Sequence, residues 1–245
     1  MAEINVSTWA EFVAACATSG ADVVCTENTV WDMNSISPSG APTVTVACNS
    51  ISGNGSTIKN ASVISQPLFN FTNAATVTRL NIADFTADTA VIAGTVNWAT
   101  WKMSSFSGVQ NSGTMITCAM TFCEDSDIAE PKGCGFTVEL NGGSFFKYNS
   151  GETLPLRNCK AKFTGGGSLN PNSGDWQNHI QLNYCFIEGD FTQIRLTSYC
   201  TMSVIKSPVK MGVYTSVGQW SDCTDEQLHD AAYLTSIGFT CGVVS

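Results

Sequence analysis

The sequence predicts an all-β fold, a single-stranded, right-handed parallel β-helix of about eight to nine coils closed by short helices at both ends. Three observations predict it. Apolar residues make up 43% of the chain but charged residues only 13%, so Ser, Thr, Asn and Gly supply the polar surface, as in proteins that satisfy their backbone in sheets. Within short runs the apolar residues alternate with period two, which is the strand period. The runs also recur: 23 residues separate Val23 and Cys25 from Val46 and Cys48, and equal steps lead to Phe69 and Phe71, then to Ile92 and Gly94. A second block behaves likewise, with Phe136, Val138 and Leu140 mapping onto Cys159, Ala161 and Phe163, then onto Leu182, Tyr184 and Phe186. Between the blocks the phase slips, as loop insertions make it do. A repeat of about two dozen residues cannot bury its inner face alone and must stack on its neighbours.

The elements follow in order, as one structural domain with three regions. Residues 1–21 form an N-terminal cap, in which Thr8 and Glu11 make a capping-box pattern and Trp9, Phe12, Val13 and Cys16 share one helical face. Residues 22–221 form the β-helix. In its stretch "TVTVACNSISGNGSTIKN", "TVTVAC" reads as a strand, "SGNGS" as a corner whose Gly and Asn accept positive φ, and "TIKN" as the next strand. "TGGGS" at Thr164–Ser168 lacks the Lys and helix of a phosphate loop and reads as another corner. Residues 222–245 form a C-terminal helix and tail: Thr224 and Gln227 repeat the capping box, Leu228, Ala231, Ala232 and Ile237 are apolar, and Gly238 stops the helix. Open sheet ends pair with whatever meets them, so the first helix is expected to plug the rod. The second is expected to plug the far end or to dock on a partner.

Eleven basic residues, three of them arginine, stand against 20 acidic ones for a formal charge of −9, which offers no cationic surface to a nucleic acid. No apolar run reaches membrane-spanning length. The start "MAEINVSTWAEFVAAC" has no basic n-region, so the reading is synthesis in the cytoplasm without a signal peptide. In that compartment eleven cysteines, an odd number without a CxxC pair, are expected to be reduced, with Cys25, Cys48, Cys159 and Cys185 buried as small hydrophobes. A zinc site around Cys118 and Cys123 lacks the second spaced pair such sites need. The four sequons, at Asn5, Asn54, Asn60 and Asn70, are what a chain rich in Ser, Thr and Asn produces by chance.

The opening "INVSTWAEFVAAC", leading into "DVVCTENTVWDMNSI", and the ending "TDEQLHDAAYLTSIGF" resemble phage- and prophage-encoded parallel β-helix virion proteins. The helix entering a first strand is similar to the broader pectate-lyase-like superfold. The resemblance rests on both ends and the coil pattern between them, and it carries no catalytic signature. It implies a structural virion protein, a capsid decoration or head-fibre protein that assembles as a homotrimer and docks on other virion proteins. The alternative it implies is a tailspike or receptor-binding protein that binds or degrades a host surface glycan.

Lyases on this fold resemble one another in clustering aspartates for calcium beside a basic residue. Here Lys59, Arg79, Lys102, Lys132, Lys147 and Arg157 are scattered, and no Asp recurs at the coil period. "CEDSDIAE", with Glu124, Asp125, Asp127 and Glu130, reads as a solvated inserted loop and lacks calcium-loop grammar. Glycan hydrolysis needs two carboxylates about 5 to 10 Å apart. The best pair is Glu188 and Asp190, followed by Arg195, but charged residues are common on exposed strand faces, and that is the reading taken. His179 and His229 have no nucleophile partner. Trp98 and Trp101, three apart, fall on opposite strand faces, so at most one is an exposed sugar platform; Trp176 is the other candidate. No catalytic, cofactor-binding or metal-binding residue is therefore assigned, and no cofactor.

Overall fold

The computed structural model describes residues 2–63, 66–95, 98–123, 133–147, 153–170, 179–240 and 243–244. Three faces of stacked parallel strands build a β-solenoid. Face one runs from Ala2–Val6 and Ala21–Cys25 to His179–Asn183. Face two starts at Val30–Asp32, and face three at Val44–Val46. Seven rungs of face one, from Ala21–Cys25 onward, make about six turns. This corrects the expected eight to nine. The rungs recur at about 24 to 30 residues in most places, longer than the sequence period, and the last part of the chain leaves the coil altogether.

The 23-residue map holds where it was drawn through face three, since Phe69 and Phe71 stand opposite Ile92 and Gly94. Elsewhere it crosses faces or slips. Val23 pairs with Ile51 of face one, whereas Val46 belongs to face three and pairs with Phe71. Phe136 and Val138 pair with Ala161 and Phe163, two residues further along than the 23-residue map places them. The "TVTVACNSISGNGSTIKN" stretch holds three strands, Val44–Val46, Ser50–Ser52 and Thr57–Lys59, one on each face. Its corner has positive φ at Asn54 and Gly55, as the turn chemistry requires.

Inward residues form one continuous dry core with an aromatic spine. Trp9, Phe12 and Trp31 cluster at the N-terminal end. Trp101, Phe106 and Phe136 follow, with the last two stacked at 4.9 Å and 17°, and Phe145, Phe163 and Phe191 carry the contacts to the last turn.

The N-terminal helix spans Trp9–Cys16 with the expected reciprocal capping box between Thr8 and Glu11. Its buried face closes the core, and the Cys16 carbonyl accepts from the N–H groups of Ala47 and Cys48 at 2.9 and 3.1 Å. Ahead of it, Ala2–Val6 is already a rung paired with Ala21–Cys25, inside the stretch read as cap alone. At the other end Ser203–Ser207 is the last parallel strand of face two, and an antiparallel hairpin of Lys210–Ser216 and Gln219–Asp222 extends it. The ten strands of that face in line give a rod of roughly 43 Å.

The C-terminal segment is two short helices, Asp225–Leu228 and Ala231–Ser236, because Asp230 caps a second start. They neither plug the rod nor stand free. Leu228, Leu234 and Phe239 bury Val204 and Val213 on the outer side of the terminal hairpin. Ala231 and Ala232, read as part of the apolar face, are exposed.

Candidate functional site

Two outward features are shaped by the solenoid geometry. The first is the corner between faces one and two, where a residue in the left-handed region, followed at Asn54 by Gly55, turns the chain. Asn28, Asn54, Arg79, Met103, Asn158, Tyr184 and Met202 occupy it, all with positive φ. Asn suits such a position, because its short polar side chain bonds locally; Arg, Met and Tyr do not, and each costs about 1 to 2 kcal/mol there. At four of these corners the next residue is buried and closes the turn. The Ser104 hydroxyl donates to Lys102 O at 2.8 Å, the Cys159 thiol to Arg157 O at 3.3 Å, the Cys185 thiol to Asn183 O at 3.4 Å and the Ser203 hydroxyl to Thr201 O at 2.8 Å. The buried cysteines here are therefore corner donors as well as small hydrophobes. Cys25, Cys48, Cys159 and Cys185 are free thiols, buried as expected. Burial pushes the Cys25 and Cys118 thiols up to about 12.

The second feature is the outer side of face two, where Lys162, Glu188 and Lys206 stand opposite one another on three neighbouring strands. Two hollows of about 420 Å³ each share Lys162 and Glu188, one bordered by Lys160 and Phe186, the other by Asp190 and Met211. The Lys160 ammonium lies 5.8 Å from the Phe186 ring centroid, and Lys206 pairs with Asp225 at 2.6 Å. Glu188 and Asp190 thus border one hollow, as the sequence suggested. Arg195 does not join them; it lies past the last face-three rung and lines a separate hollow of about 500 Å³ at the end of the rod with Lys210, Trp220 and Asp222. Glu188 stands between Lys162 and Lys206 on the neighbouring strands.

Trp101 is fully buried and Trp98 exposed, so one of the two is exposed at most, but Trp98 lies before the strand Ala99–Lys102 at positive φ and not on its opposite face. His179 starts a face-one strand, and His229 caps its short helix with Nδ1 2.6 Å from Asp225 O. Among the described residues no three His, Cys, Asp or Glu side chains are placed to hold a metal, and no helix is long and apolar enough to cross a membrane. Glu124, Asp125, Asp127, Glu130 and Trp176 lie outside the described residues. The αL column escaped the sequence reading at Arg79, Met103, Tyr184 and Met202, where no Gly or Asn marks the turn. Its one legible signal was the recurrence of Asn54 and Asn158 beside strand ends.

The class of protein these features define is an all-β parallel β-solenoid with a polar flank and a dry aromatic interior. Comparison with family models, with curated proteins and with solved structures gives no match to this chain.

Proposed function

We propose that the chain is a structural protein of a bacteriophage particle, a capsid decoration or head-fibre element that acts by rigid assembly and docking, without catalysis or a cofactor. The observation that carries the reading is the uninterrupted core. A spine of buried rings from Trp9 to Phe191 inside a parallel ladder makes a stiff rod, and the described pockets are shallow hollows on its surface. The likeness of both chain ends to phage solenoids supplies the particle. Flanks rich in Ser, Thr and Asn support packing of identical copies side by side, three in the habit of that family. The test is direct: particles induced from the cells that carry the gene, banded on caesium chloride, should contain peptides of this chain at a fixed ratio to the major capsid protein. Their absence from banded particles sinks the proposal.

A second reading, glycan binding or cleavage by a tailspike, has in its favour the placement of Glu188 and Asp190 on one hollow. Release of reducing ends from host polysaccharide, abolished by Glu188→Gln, would put it first.

A further inference from the structure

Successive layers place a short polar side chain at one inner position, directly after the corner between faces one and two. Ser105 pairs with Gly135 across the ladder, Gly135 with Lys160, Lys160 with Phe186 and Phe186 with Val204. The residues immediately ahead of these, Ser104, Cys134, Cys159, Cys185 and Ser203, therefore form one column along the rod, and every one of them is buried.

Hydroxyls stand at the two ends of this column and thiols fill its middle. Ser104 and Ser203 close their corners by donating to the carbonyl two residues back, and Cys159 and Cys185 do the same. Serine thus meets the corner role as well as cysteine does, so that role does not account for thiols in three successive turns. The thiols also reach the face-one strand of the preceding turn, Cys134 to Trp101 O at 3.5 Å, Cys159 to Phe122 O at 3.8 Å and Cys185 to Leu156 O at 3.1 Å. Cys159, in the middle, lies within hydrogen-bonding reach of both neighbouring thiols.

The ladder sets their spacing. In-register residues of a parallel ladder stand about 4.8 Å apart with their side chains pointing the same way, wider than the separation of about 3.8 Å between the Cβ atoms of a disulfide. Two thiolate bonds to one metal ion, each about 2.3 Å long, span about 4.6 Å when they lie in a straight line. Neighbouring thiols of the column are therefore held too far apart to join directly and at the separation of a linear sulfur–metal–sulfur bridge. Two soft sulfurs on a line suit copper(I), whereas structural zinc takes four ligands around a point. A monovalent ion on one thiolate and one thiol leaves the pair neutral, as a dry interior requires, and releases a single proton to solvent.

We propose that Cys134, Cys159 and Cys185 form a buried site for one soft monovalent cation of the copper(I) class, held linearly between Cys159 and either neighbour. A bound ion ties consecutive turns together at the corner where the chain bends, and it takes part in no reaction. The inference does not depend on the virion assignment.

Because the thiols are buried, the ion is supplied during folding: the full chain is refolded from denaturant with copper(I) in the absence of oxygen and then dialysed against bicinchoninate. Elemental analysis should find one copper per chain, and X-ray absorption should show two sulfur neighbours and no nitrogen or oxygen. Cys159→Ser should lose the ion. Cys134→Ser and Cys185→Ser should each keep it through the remaining pair, and the double variant of these two should lose it. Serine already stands in the column at positions 104 and 203, so the variants retain the corner bond; if circular dichroism shows Cys159→Ser unfolded, the double variant decides in its place. Cys48→Ser, which breaks the neighbouring thiol pair of Cys16 and Cys48, should leave the copper in place. A chain that keeps no copper against the chelator, copper with nitrogen or oxygen neighbours, or copper that survives Cys159→Ser or departs with Cys48→Ser overturns the inference. Each of these outcomes leaves the structural-protein reading standing, whereas absence from banded particles overturns that reading and leaves the thiol site intact.

Discussion

Phe106 is the residue on which the rigidity of the rod is best tested. Its ring is fully buried, stacks on Phe136 at 4.9 Å, and meets Trp101 at 5.3 Å and Phe122 edge-on at 5.9 Å. Phe106→Ala removes the ring from a position where backbone ladders on both sides hold the walls apart, so the cavity cannot collapse. Truncations of this kind cost about 3 to 5 kcal/mol, and the lost stacking places this one near the upper part of that range. Against a total of about 5 to 15 kcal/mol for a domain, that is a large fraction. At about 2 to 4 °C per kcal/mol for a chain of this size, a loss of about 4 kcal/mol lowers Tm by about 8 to 16 °C. Phe106→Leu keeps most of the volume and should cost about half as much or less. Urea unfolding followed by far-ultraviolet circular dichroism measures both. Each turn touches only its neighbours, so the Ala variant should also broaden or split the transition as the two halves uncouple. A loss below about 1.5 kcal/mol with an unchanged slope would refute the continuous-spine argument.

Four further outcomes follow from the same geometry. Tyr184→Asn relieves a left-handed backbone at φ 55° on an exposed side chain and should raise stability by about 1 kcal/mol in the same urea assay; a loss would mean that the ring is held by a contact. With a thiol reagent at pH 8 the nine buried cysteines among the described residues should react slowly in the native protein, and all eleven should react in denaturant; four or more unreactive thiols there would indicate disulfides. Backbone N–H bonds from Ser7 and Thr8 hold the Glu11 carboxyl down to about 2, so its contribution is present above the ordinary value near 4.5 and fades as pH falls toward 2; Glu11→Gln should flatten Tm across that window, and an unchanged slope would remove the capping box from the account. A chain ending at Asp222 uncovers Val204 and Val213 and should aggregate on purification, and a soluble, monodisperse product would show that the helices are dispensable to the hairpin.

The fold class was legible because the strand period and a recurrence of about two dozen residues are both physical necessities of a stacked ladder. The turn count was not. A single 23-residue step linked Val23 to Val46, yet three short strands per turn place apolar pairs on different faces at similar spacings. Sequence alone does not say that Val23 answers Ile51. The helix starts were read correctly at Thr8 and Thr224, because a capping box is a local signal that tertiary packing rarely overrides. The split at Asp230 was equally local, and the apolar count over Ala231 and Ala232 obscured it.

What lay beyond the sequence was which residues share an end. Glu188 and Asp190 were adjacent in sequence and proved adjacent in space, but Arg195, five residues on, crosses a corner and the last face-three rung to reach another surface. A solenoid converts sequence distance into height, and residues a few positions apart can face different directions while those a whole turn apart lie about 5 Å from each other. Thus Lys162, Glu188 and Lys206 form one outward row although no motif joins them. Thus also Val30–Asp32 and Gln219–Asp222, most of the chain apart, are the two end strands of one sheet face. In such a fold chemistry belongs to rows and ends, and the end layers, where the repeat stops and its register no longer constrains residue choice, are where exposed apolar and charged side chains carry most information about partners.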